Sequence, residues 1–132
     1  RALPNVRLAG SQPYSTLPSW SKAFDAAIIP YRQNRQVANA NPLKLREYLA
    51  AGIAVVSTRN PEIEKFSTWV RLADDREGFL AALDAAVRDN APGAAEARIA
   101  AVADQTWDAR VASVLADVAA GLSSHSSTAV HS

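Results

Sequence analysis

The run Asn41-Pro42-Leu43-Lys44-Leu45-Arg46-Glu47-Tyr48-Leu49-Ala50-Ala51-Gly52, followed at once by Ile53-Ala54-Val55-Val56-Ser57-Thr58, leaves few folds open. It predicts a capped helix, a tight turn and a buried strand, in that order. Asn41 is a good N-cap residue, and Pro42 suits the first helical position, where its missing N–H is no loss. Gly52 can take the left-handed conformation that closes a helix. Lys44 is out of place in this scheme. A cation in the first turn opposes the positive end of the helix dipole, at roughly 0.3–1 kcal/mol. The placement makes sense if an anion also sits there, because free N–H groups and a lysine together make a phosphate site.

On either side, helical and strand patterns alternate. Asn5-Val6-Arg7-Leu8-Ala9-Gly10 alternates and ends in glycine, which predicts a short strand. Ser15 or Thr16 can cap a helix over residues 17–23, with Leu17, Trp20 and Phe24 inward. Asp25-Ala26-Ala27-Ile28-Ile29-Pro30 is a continuous apolar run closed by proline, the pattern of a strand covered on both faces. Residues 31–40 are polar and predict a loop. Asn60-Pro61-Glu62 starts a short helix, Trp69-Val70-Arg71-Leu72 a weaker strand, and Asp74 caps a helix to about Arg88. A helix over about 94–103 follows. Thr106 caps a last one, with Val111, Val114, Leu115 and Val118 on one face. Residues 1–122 therefore read as one α/β unit with a parallel sheet. From Ser123 to Ser132 the serine-rich composition predicts a disordered tail. Ligands of such sheets bind beyond the carboxyl ends of the strands. Tyr14, the loop after Pro30 and the start of the Pro42 helix are expected at that edge.

Composition narrows function further. The 132 residues allow one domain with a real core; 48% are hydrophobic and 20% charged, an ordinary globular balance. A net charge of +1 gives no wide basic face for nucleic acid. Zero cysteines exclude a disulfide frame and thiolate metal sites, and fit a reducing compartment. No apolar run has membrane-span length. His125 and His131 lie in the tail without carboxylate or metal partners. No GxSxG or HExxH pattern occurs, so neither a catalytic nucleophile nor a metal or other cofactor is expected.

Two readings of the central helix stay open. Lys44 and Glu47, three apart, can form a solvated ion pair. Alternatively the helix start and Lys44 hold a diphosphate while Glu47, one turn below, accepts from both ribose hydroxyls, a division of labour like that of dinucleotide folds. Arg32 and Arg35 are either ordinary surface arginines or extra positive charge near an anionic ligand. Tyr14 either stacks on a base or packs its ring at a domain edge.

These residues also resemble a known family. Asp25-Ala-Ala-Ile-Ile-Pro, Pro42-Leu-Lys-Leu-Arg-Glu-Tyr-Leu-Ala-Ala-Gly and Val55-Val-Ser-Thr are similar to the Rossmann-like donor half of GT-B glycosyltransferases, of the retaining group 1 or family 4-like type. The likeness extends through Asn5-Val-Arg-Leu-Ala-Gly upstream and through Phe79-Leu-Ala-Ala-Leu and Thr106-Trp-Asp-Ala-Arg downstream. It implies a bacterial, cytoplasmic enzyme that moves a sugar from a UDP- or GDP-sugar to an acceptor in glycan or cell-surface polysaccharide assembly. It allows peripheral membrane association of the full enzyme. Donor-binding roles then fall on Asn41, Pro42, Leu43 and Lys44 at the diphosphate and on Glu47 at the ribose. Asn39 stands where many members carry a sugar-contacting glutamate; an amide offers the same hydrogen bonds without the charge. Ala54 replaces the proline common before the strand. The resemblance further implies that two initial βα units and an N-terminal acceptor domain lie outside these residues, leaving a marginally stable, inactive piece with exposed apolar surface. Two alternatives are a sugar-nucleotide epimerase of the same fold and a non-catalytic module that binds nucleotide or protein.

Overall fold

The computed structural model describes residues 3–32, 42–89 and 91–128, with residues 123–128 described by their backbone alone. In chain order they form a 3-10 turn at Tyr14–Thr16, then α1 (Leu17–Ser21), β1 (Ala27–Ile29), α2 (Leu43–Ala50), β2 (Val55–Thr58), α3 (Pro61–Glu64), β3 (Val70–Ala73), α4 (Arg76–Arg88), α5 (Ala94–Ala100) and α6 (Trp107–Thr128). The three strands make one parallel sheet in the order β1-β2-β3, with Ala27 beside Val55 and Val55 beside Val70. The fold is α/β with a Rossmann-like parallel sheet, as the alternation of patterns predicts. None of the helices among the described residues is long and apolar enough to cross a membrane.

β2 is central, so side chains on both its faces need cover. Val55 meets Ile29, Leu45, Leu49, Ile63, Phe66, Val70 and Val102 on one face. Val56 meets Ala86, Phe79, Ala82 and Leu83, the last four from α4, on the other. α2 lies on the first face because Leu45 and Leu49, one turn apart, are both fully buried. Its end is closed as expected. Gly52 has φ +74, its N–H donates to Leu49 O at 2.9 Å, and the Ile53 N–H donates to Tyr48 O at 3.0 Å. That is the paired Schellman pattern, which needs a residue tolerant of positive φ. A Cβ at residue 52 would also lie 3.1 Å from Ala95 Cβ, so glycine is favoured twice over.

Several expectations need correction. Val6–Gly10 forms no strand, and Leu8 is 92% exposed. Alternation cannot make a strand where no neighbour takes its backbone hydrogen bonds. The strand Ala27–Ile29 is not covered on both faces: Ile28 is 48% exposed, because α4 covers β2 and β3 but stops short of the edge strand. The first helix ends at Ser21, and its Thr16 makes no capping bond; the Thr16 hydroxyl donates backwards to Pro13 O. Pro42 sits at the cap position of α2 (φ −77, ψ 86), one residue outside the helix, and the expected cap Asn41 lies outside the described residues. The cap of α4 is Asp75, whose Oδ1 accepts from the Gly78 N–H at 2.7 Å, rather than Asp74. The backbone of the last helix runs to Thr128. Serine costs only about half a kcal/mol more than alanine in a helix already nucleated.

Other caps are as expected. Asn60 is buried and its Oδ1 accepts from the Glu62 and Ile63 N–H groups at the head of α3. Thr106 Oγ1 accepts from the Ala109 N–H at the head of α6.

Candidate functional site

A helix that follows one parallel strand and precedes the next must run back along the sheet, so its amino end lies at the strands' carboxyl edge. α2 therefore brings Pro42, Leu43, Lys44 and Glu47 to the edge where such sheets bind ligands. At 100° per residue Glu47 lies opposite the arc held by Leu45 and Leu49, so it points away from the core. Leu43 (67% exposed), Lys44 and Glu47 all face solvent. Pro42 is buried, but the two charged side chains are open to water and do not neutralise each other, since no ion pair joins Lys44 to Glu47 among the described residues. Arg46, on the same helix, is engaged elsewhere: its Nε donates to Gln105 Oε1 at 2.7 Å and its guanidinium stands 5.6 Å from the Phe66 ring centre.

The strand ends beneath are laced together by side chains. The Ser57 hydroxyl is shared between Ile29 O at 3.1 Å and Thr58 O at 2.9 Å, and Thr58 Oγ1 donates to Tyr31 O at 2.9 Å. The Arg59 N–H donates to Ala73 O at 3.1 Å. Arg59 then grips Asp74 with two bonds, Nε to Oδ1 at 2.7 Å and Nη2 to Oδ2 at 3.2 Å, and Glu64 with Nη1 at 2.8 Å. This is why Asp74 caps no helix. The clamp is a feature of the carboxyl edge that sequence reasoning missed; the tandem Asp74-Asp75 is its local trace.

The clamp has a pH signature. Hydrogen bonds from Arg59 hold the Asp74 carboxyl below its ordinary value near 3.8, while the bonds to Asp74 and then Glu64 push the guanidinium further up, so only the acid titrates. A folded value lower than the unfolded one means that the clamp's contribution is complete above pH 3.8 and fades as pH falls through the depressed value. Both side chains are about half exposed or more, so solvent screening keeps the contribution small. Carbon-detected NMR titration is expected to place the Asp74 midpoint lower in the native chain than in Arg59→Gln. Equal midpoints would remove the clamp from the solution structure.

Of the remaining predicted residues, only Tyr14 and Arg32 are among the described ones. Tyr14 is exposed in the 3-10 turn and no hydrogen bond joins it to α2. Arg32 is exposed two residues beyond Pro30. Asn39, Asn41 and Arg35 lie outside the described residues. Two cavities, of about 620 and 360 Å³, open at the opposite, amino edge of the sheet, and none of the predicted donor residues lines them. They share Asp89 and Arg98. Asp89 Oδ2 accepts from Arg71 Nη2 at 2.9 Å and from Arg98 Nη2 at 3.3 Å; Arg98 Nη1 donates to Gly52 O at 3.1 Å. No sequence signal announced this trio, whose members belong to three separate elements. Among the described residues no group of three His, Cys, Asp or Glu side chains could hold a metal ion.

The exposed cation and carboxylate one turn apart, at the carboxyl edge of a parallel sheet, suit a phosphate-and-sugar ligand. No family model matches the chain, and no solved structure matches it. A protein of Bacillus subtilis (strain 168) described as "Putative teichuronic acid biosynthesis glycosyltransferase TuaH" is 40% identical to it over 63 residues, 48% of this chain. The matched stretch spans 16% of that relative's length. By that partial match, the chain is related to a glycosyltransferase.

Proposed function

We propose that this chain is the donor-binding part of a GT-B glycosyltransferase that transfers a sugar from a UDP- or GDP-sugar to an acceptor in glycan or cell-surface polysaccharide assembly. The observation that carries the reading is the amino-terminal half of α2, where Lys44 and, one turn on, Glu47 stand exposed, unpaired with each other, at the carboxyl edge of the sheet. The partial kinship to TuaH points the same way. The Leu45 N–H already donates to Pro42 O, so the N–H groups of Leu43 and Lys44, with the Lys44 ammonium, would hold the diphosphate and stabilise the charge that grows on it as the sugar leaves. Glu47, about 4.5 Å further along the axis, would accept from the ribose hydroxyls. Asn39 and Asn41 would complete the sugar and diphosphate contacts, with Arg32 adding positive charge and Tyr14 a surface for the base. The acceptor would be bound by a domain beyond these residues, and the chain alone would not turn over. The enzyme would work in the cytoplasm, at or near the membrane.

Titration calorimetry with UDP, GDP and their sugars tests this directly. One of the two nucleotide series is expected to bind. Glu47→Ala is expected to weaken it about 10- to 100-fold, the worth of hydrogen bonds to a charged group. Lys44→Ala should weaken the diphosphates and leave the free nucleoside unchanged. If neither series binds the native chain, the donor site is not here. The reading of the chain as a protein-binding module would then gain, because α6 leaves a broad apolar face exposed.

A further inference from the structure

α6 leaves the body of the protein at the Thr106 cap, and almost all its side chains from Trp107 to Leu122 face solvent. Trp107 is 82% exposed, and Val111, Val114 and Val118 are each more than half exposed. Their spacing of four, three and four residues is the 3.5-residue repeat that keeps one seam against a partner helix. The ionic side chains on this stretch are Asp108, Arg110 and Asp117, and none forms an ion pair among the described residues.

We propose that this seam pairs, antiparallel, with the same seam of a second copy of the chain. The charges select both the partner and the direction. In an antiparallel pair, residues whose numbers share one sum meet across the seam. Setting Val111 against Val114 of the second copy also sets Trp107 against Val118, the bulkiest side chain against a small one. In that same register Arg110 and Asp117 of the second copy share one flank of the seam, offset by only two residues or about 3 Å along the axis, within reach of the arginine, and the two-fold axis repeats the contact. A parallel pair offsets flanking positions by about five residues, which would set Arg110 beside Leu115 and leave every charge unmatched. The complement that Arg110 and Asp117 require is thus present on the helix itself. This pairing is independent of the donor reading.

Sedimentation equilibrium of the whole 132-residue chain is expected to show a reversible monomer–dimer equilibrium. Arg110→Glu exchanges both ion pairs for like charges and should weaken the dimer about tenfold. Adding Asp117→Arg to it should restore the native value, with circular dichroism showing that each variant is folded. Because the chain has no cysteine, direction can be read by cross-linking. Oxidising a mixture of Val111→Cys and Val114→Cys chains should join unlike variants. A monomer at every concentration, like-with-like cross-links, or a double charge variant no tighter than the single one would each overturn the proposal. The first of these is also what a helix reserved for another part of a longer chain would give.

Discussion

Leu45→Ala will remove about 2–5 kcal/mol of stability, the cost of a cavity at a fully buried leucine. Leu45 has no exposed surface and lies in the cluster that joins α2 to Ile29, Val55, Ile63, Phe66 and Val70. With three short strands and one main core cluster among the described residues, the domain belongs at the low end of the usual 5–15 kcal/mol, so much of the chain should be unfolded at 37 °C. Leu45→Met keeps the volume and should cost under about 1.5 kcal/mol. Urea denaturation followed by tryptophan fluorescence measures both. If alanine and methionine shift the midpoint equally, α2 is not held by that packing and cannot present Lys44 and Glu47 in a defined way.

Asp89→Ala is the second large effect, and the contrast with its partner is what makes it informative. Arg98 is only 8% exposed and shares the Asp89 carboxylate with Arg71. Removing the acid leaves a buried guanidinium beside another cation, a change worth about 3–5 kcal/mol in a fully buried pair. Asp89 is partly open to water, so about 2–3 kcal/mol is expected here. Arg98→Met removes the buried charge and leaves Asp89 with Arg71, so it should cost less, near 1 kcal/mol for the lost bond to Gly52 O. Thermal or urea melts of the two single variants decide the matter. Arg98→Met proving worse than Asp89→Ala would mean that the arginine's bond to Gly52, not its charge, is what counts.

What could be read from the residues was whatever local chemistry decides. Gly52 closes α2 because positive φ and a small side chain are needed at one position. Asn60-Pro61 starts α3 because both signals lie within one turn. The order helix, turn, strand from Leu43 to Thr58 therefore stood out, and the exposure of Lys44 and Glu47 followed from the period of Leu45 and Leu49. What could not be read depends on distant partners. Asp74 and Asp75 are locally equal as caps; Arg59, fifteen residues away, takes the first and leaves the second. Ile28 looks like core until the reach of α4 is known. Val6–Gly10 has strand periodicity but no ladder. The Asp89 trio draws on three elements and leaves no pattern at all.

The hydroxyls of Ser57 and Thr58 have a mechanical meaning as well. They bond to carbonyls at and beyond the end of β1, so the backbone leaving Pro30 is tethered to its neighbour in the middle of the sheet. A pull on that departing segment, such as a docking molecule would exert, is therefore shared with the central strand rather than borne by the edge strand alone. The brim of the sheet should thus yield as one piece, with its shape set by two small alcohols.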